Sequence, residues 1–263
     1  MKNIEKYLLT FLLVFFSANL LAEDKDLHII KSYEPLLATI NLVDVEIEEK
    51  YINYDFSNVW ESGLRYEYFG FIGKNYQRIR VKLFSVTKDI KEQYRYYVSG
   101  KTAIDGDIEP FQGVFQITHI KRFKDMHWGC DDEYKDSGIK AQGILIGTYT
   151  LFQKRNGKEV GYFEGIYSAL WYIDKNNNLK FDDIEDFADS YRNNQFIGVW
   201  KSNDGSVIMK SNWGDNRIPE DGDLDIGAGY FYPNPKYAKY GWQSYIEAEK
   251  TRNYDLHKFN WNP

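Results

Sequence analysis

Apolar and polar side chains alternate with period two through the middle of the chain, which predicts a series of half-buried β-strands. In residues 78–86, Ile79, Val81 and Leu83 fall on one face, and Arg78, Arg80 and Lys82 on the other. Residues 94–104 read as the partner strand, reached through a loop at 89–93. Two more strands are predicted at 111–120 and 143–153. Asn156-Gly157 then supplies the positive φ angles of a tight hairpin, with 160–173 as its return strand. The chain turns again at 174–178, continues through 179–184, and forms another hairpin over 196–209 with Asn203-Asp204-Gly205 at its tip. Gly113, Gly143, Gly147, Gly161 and Gly165 lie inside these runs, where glycine marks bulges, bends or close backbone approach. The pattern predicts an all-β fold. It is an antiparallel meander from about residue 66 to residue 210, forming a barrel or a sandwich, with short irregular or helical ends. Residues 27–49 suit a short helix or an early strand, and 235–250 a late helix.

The first 22 residues break this pattern. Lys2 and Lys6 precede an almost wholly apolar run from Tyr7 to Leu21, and Ala22 closes it before Glu23-Asp24-Lys25-Asp26. A charged start, a short apolar run and a small residue before a polar stretch are the parts of a secretory signal peptide. The run is short and interrupted for a membrane span, which needs about 20 apolar residues. No cysteine follows it, so a lipid anchor is not expected. Residues 1–22 are therefore read as a signal peptide and 23–263 as a single exported domain, periplasmic or secreted, with no membrane association after cleavage.

Charge and composition narrow the partners. Formal charge is −6 and the sequence pI is about 5.4, which opposes nucleic-acid binding through phosphates. Cys130 is the only cysteine, so no internal disulfide forms despite export. The fold must rest on its core, and that core is aromatic, with 22 Tyr, 17 Phe and 7 Trp.

Three stretches carry candidate chemistry. Asp174, Asn176, Asn178, Asp182 and Glu185 fall on positions one, three, five, nine and twelve of a segment that resembles an EF-hand calcium loop. Leu179 stands where that loop needs glycine, so an Asn/Asp-rich hairpin turn is the competing reading. Residues 215–225 hold Asp215, Glu220, Asp221, Asp223 and Asp225. Alternation after Asp223 would put Asp223 and Asp225 on one face, as a metal site or an acid/base pair. His127-Trp-Gly-Cys130-Asp-Asp-Glu133 gathers a histidine, the lone thiol and three acids, but lacks the second ligand pair of a closed zinc site. Trp213 and Trp242 are candidate sugar platforms beside these acids.

Phe196-Ile-Gly-Val-Trp-Lys-Ser202 resembles the Gly-x-Trp strand of lipocalin-like barrels, in which the tryptophan closes one barrel end; this implies that place for Trp200. More broadly, residues 69–241 are similar to exported bacterial proteins without an assigned activity. The pieces that carry this are Tyr76-Gln-Arg-Ile79, Gly138-Ile-Lys-Ala-Gln-Gly143, Asn193-Asn-Gln-Phe-Ile-Gly-Val-Trp200 and Asn212-Trp-Gly-Asp-Asn-Arg-Ile-Pro219. No catalytic residue comes with that similarity, and no nucleophile-elbow, phosphate-loop or dinucleotide motif is present. The expected function is a non-enzymatic exported binding or interaction protein, with Trp200, Trp213, Asp223 and Asp225 as ligand-contact candidates. A periplasmic immunity or inhibitor protein against a basic toxin is one form of it. The alternatives are an envelope-polymer hydrolase using Asp223 with Asp225 or Asp182 with Glu185, and a calcium-stabilised module.

Overall fold

The computed structural model describes residues 49–189 and 191–261; the expected signal peptide and the element at 27–49 lie outside them, apart from Glu49. Among the described residues, nine strands form one antiparallel sheet: β1 Tyr68–Ile72, β2 Gln77–Lys88, β3 Arg95–Ile104, β4 Asp107–Arg122, β5 Ala141–Arg155, β6 Lys158–Ile173, β7 Leu179–Phe181, β8 Asn193–Ser202 and β9 Ile208–Asp215. The spatial order is β5-β4-β3-β2-β1-β9-β8-β6, and β5 also pairs with β6. Eight strands therefore close on themselves, and β7 is an extra edge strand on β6. Of the two expected architectures, the barrel forms. Closure removes the open edges that a sandwich would have to protect.

Glycine makes the closure sterically possible. Gly143 faces Trp171 across the β5–β6 pair, and a Cβ there would stand 2.5 Å from the indole. The expected tight hairpin joins β5 to β6, with Asn156 at φ 50° and Gly157 at φ 77°.

Aromatic rings fill the barrel. Phe196 stacks on Trp213 with ring centroids 5.4 Å apart, and Tyr149 meets both rings edge-on. A short segment before β1 closes one end. It comprises a 3₁₀ turn at Phe56–Trp60 and the helix α1, Glu61–Arg65. Trp60 projects from it among Tyr96, Phe115 and Tyr167. Two lysines of β2 hold this plug by its carbonyls: Lys88 donates to Ile52 and Tyr54, and Lys82 to Leu64 and Tyr66. At the other end Trp200 donates its indole N–H to Gln153, which in turn donates to Thr102 across the barrel.

A second apolar cluster forms outside the barrel. Residues after β9, including the helix α2, Gln243–Thr251, pack Ile218, Leu224, Phe231, Trp242 and Ile246 over Phe71 of β1. Arg78 and Arg80 of β2, expected on a solvated polar face, are consequently buried. The strand alternates as expected, but both of its faces are covered.

Polar side chains tie the plug and the loops to the barrel. Asn193 accepts from the Leu170 and Asn194 amides, both at 2.7 Å, and donates to the Asp182 carbonyl at 3.0 Å. Its neighbour Asn194 donates to the Val59 carbonyl in the plug. Losing Asn193 would leave two buried amides unpaired, so Asn193→Ala should cost about 2–3 kcal/mol. Urea unfolding with an unchanged m-value would show it.

Candidate functional site

The plug, the chain after β7 and the end of β9 meet around an open cleft of about 420 Å³. Glu61, Ser62, Arg65 and Tyr66 come from α1 and the residue after it, Asp183 and Asp186 from the turn beyond β7, and Asp215 from the last position of β9. The β8–β9 pairing sets Asp215 opposite Asn193, beside a bulge between Asn193 and Phe196. Asn216 then leaves the strand at φ 60°, and the chain turns away to bury Ile218 in the outer cluster.

The cleft is strongly acidic. Four carboxylates line it against one cation, Arg65, which is itself paired with Glu61 at 2.5 Å. Asp215 keeps some accessible surface, but burial pushes its carboxyl up to about 6. The Asp186 charge adds to that rise, and hydrogen bonds from Ser62 and the Asn216 amide oppose it. Asp183 is also raised, first by burial and then by the charges of Asp182, Asp186 and Glu61, against a backbone hydrogen bond that lowers it. Burial likewise raises Asp186. Like charges held in a recess with raised pKa values are a property of functional sites.

A raised carboxylate pKa opposes folding above that pKa, because the buried charge is worse placed than in the unfolded chain. Asp215→Asn should therefore raise stability at pH 7.5 by about 1–3 kcal/mol. The gain should fade as pH falls through about 6 and vanish near 4, where the carboxyl is protonated in both states. Denaturant midpoints measured at the two pH values would show this.

Next to this cleft lies a partly buried ionic cluster. His127 Nε2 stands 3.2 Å from Asp182 and Nδ1 3.3 Å from Glu185. The first contact is a hydrogen bond, while the second has ion-pair distance without hydrogen-bond alignment. Asp182 is wholly buried and also accepts from the Ile184 amide; Glu185 accepts from the Gly129 amide. Gln142 of β5 fixes the loop by exchanging two hydrogen bonds with the His127 backbone. Burial lowers the imidazole pKa, but Asp182 and Glu185 together outweigh it, so the net shift is upward. The group is built as a protein-internal clamp: it ties residues 127–129 to the chain after β7.

The segment likened to a calcium loop is divided between two places. Asp174 folds its carboxylate onto its own turn, accepting from the Asn176 amide and from the amide and side chain of Asn178. Asp182 and Glu185 instead face His127. Among the described residues, no set of three or more His, Cys, Asp or Glu side chains converges to hold a metal ion. Asp223 and Asp225 do not share an extended face. Asp223 lies in a turn, and Asp225 forms an isolated bridge to Pro233. Asp223 pairs with Lys236 and accepts from Tyr237, whereas Asp225 pairs with Arg217 and accepts from the Gly227 and Tyr232 amides. Trp213 and Trp242 are fully buried and offer no sugar platform, and Trp200 is partly buried, packed against the core with its indole N–H on Gln153. Cys130 is exposed in a turn. Of the acids singled out in sequence only Asp215 enters the cleft, and Glu61, Asp183 and Asp186 join it with no spacing signal to announce them.

Comparison with protein-family models, curated proteins and solved structures finds no match for this chain.

Proposed function

We propose that this is a non-enzymatic exported binding protein whose acidic cleft receives an arginine or lysine side chain of a partner protein. The observation that carries the reading is the cleft itself, with four carboxylates and a single, already paired, cation. A guanidinium or ammonium group would satisfy acids that are spread along a recess, whereas a bare metal ion needs them to converge. Two exposed aromatics support a protein partner: Tyr66 lines the cleft at 70% exposure, and Phe187, next to Asp186, is 85% exposed. Aromatic side chains of this kind are enriched at protein interfaces. The packed rings inside the barrel direct attention to this recess instead of the lumen. Net charge −6 suits a basic partner, as an immunity or inhibitor protein would need. Export follows from the signal peptide expected at residues 1–22.

Co-purification from envelope extracts tests this reading. A basic partner should be recovered with the wild-type chain and lost with Asp183→Asn/Asp186→Asn; equal recovery with both chains would reject the cleft as the site. Asp215 favours one second reading. A carboxyl at about 6 beside other acids suits a general acid, as in hydrolysis of an envelope polymer. Release of reducing ends by the wild type and not by Asp215→Asn would select it.

A further inference from the structure

On the outside of the barrel, sharing no lining residue with the acidic cleft, a smaller recess of about 210 Å³ carries the opposite charge. Its floor is β2, and it exists because the C-terminal segment covers that strand. Arg78 lines it and is only 5% exposed. The Arg78 guanidinium lies 5.3 Å from the ring of Trp242 and 5.3 Å from that of Tyr245. Among the described residues its one hydrogen bond, from Nη1 to Ser244 Oγ, is long at 3.4 Å, and its Nε has no partner.

The neighbouring charges do not complete it. Arg80, two residues along the same face, also lines the recess and takes Oε1 of Glu67. The other oxygen of Glu67 accepts from the Trp261 indole at 3.1 Å. One carboxylate thus serves Arg80 and Trp261, and among the described residues none is bonded to Arg78. Burial and the Arg80 charge bring the Arg78 guanidinium down to about 9, against partial relief from Glu67 and Tyr245. A buried cation of this kind needs a paired anion to be well accommodated.

We infer that this recess is a binding site for a small organic monocarboxylate, whose two oxygens take the guanidinium of Arg78. The planar fork of arginine matches a carboxylate bidentately. Asp105 also lines the recess and Glu67 is adjacent, so a single negative charge is favoured over a phosphate dianion. Phe259, which covers Arg80 at 5.1 Å, supplies an apolar wall for the organic body, and Gln77 adds a neutral amide.

Benzoate and inorganic phosphate are the probes, read by thermal unfolding and by the ¹⁵N resonance of the Arg78 Nε. Benzoate should raise Tm saturably, because a ligand bound only to the native state stabilises it, and should shift the Nε resonance. Arg78→Met should weaken benzoate about tenfold or more. Arg78→Lys, which keeps charge but not the fork, should also weaken it. Asp105 sits in an exposed turn at φ 51°, a conformation that asparagine tolerates. Asp105→Asn should therefore fold normally and tighten benzoate about two- to fivefold by removing a like charge. The proposal is overturned if saturating benzoate leaves Nε unmoved, if Arg78→Met or Asp105→Asn binds it as the wild type does, or if phosphate binds and benzoate does not. Should Arg78→Met not fold, the Nε shift and Asp105→Asn decide.

Discussion

Trp60→Ala is expected to lower unfolding free energy by about 3–5 kcal/mol, the range for truncating a large buried aromatic. The indole is fully buried, and its ring centroid lies 5.3 Å from Tyr96, 5.1 Å from Phe115 and 5.6 Å from Tyr167. Those three rings belong to β3, β4 and β6, so the single side chain joins the paired strands β3 and β4 to β6, which pairs with neither. The Phe56 amide donates to Tyr96 Oη at 3.0 Å a few residues earlier, and loosening the plug would weaken that bond as well. The cavity cannot collapse easily, because the closed hydrogen-bond ladder fixes the barrel's girth. Chemical denaturation should show the loss, with near-UV circular dichroism reporting altered aromatic packing. A loss below about 1 kcal/mol would mean that the plug does not seal the barrel.

His127→Ala should be comparably damaging, at about 3–5 kcal/mol, because it removes the cationic partner of a wholly buried Asp182. The effect should depend on pH. The folded-state imidazole pKa is raised above its ordinary 6.5, so its stabilisation is complete below about 6.5 and fades as pH rises through the folded value. The difference between wild type and His127→Ala should therefore be larger at pH 6 than at pH 9. His127→Gln retains a donor for Asp182 and should lose less. Equal stability of the wild type and His127→Ala at pH 6 would remove the cluster from any structural role.

Local pattern carried most of the barrel. The alternation in 78–86, the Asn156-Gly157 turn and the Asn203-Asp204-Gly205 tip each act over a few residues, and each has its counterpart in β2, the β5–β6 hairpin and the β8–β9 hairpin. What local pattern could not convey was which faces would be covered. Arg78 and Arg80 look solvated until a segment about 165 residues later packs over them. Closure depended on the pairing of β1 with β9 and of β6 with β8, which no turn between consecutive strands announces.

The candidate sites were less legible for the same reason. His127, Asp182 and Glu185 all stand in recognisable motifs, but in two separate ones with His127 and Asp182 55 residues apart, and only the fold joins them. Asp215 sat among four nearby acids that resembled it in sequence. Its distinction is its place in the cleft at the end of β9; burial pushes Asp221 up to about 6 as well, outside the cleft, and Asp223 and Asp225 found cations of their own. Glu61 and Asp186 carry no pattern at all. They become a cleft because Trp60 anchors the plug beside the end of β9.

The most direct test of the cleft as a cation receptor is a titration of ¹⁵N-labelled protein with a triarginine peptide at pH 7.5 and at pH 5. Saturable shifts should be confined to Ser62, Tyr66, Asp183, Asp186 and Asn216 at pH 7.5. They should weaken at pH 5, where Asp215 is protonated, and disappear in Asp183→Asn/Asp186→Asn. Shifts scattered over the surface, or a response that persists unchanged in that variant, would contradict the assignment of the acidic cleft as the binding site.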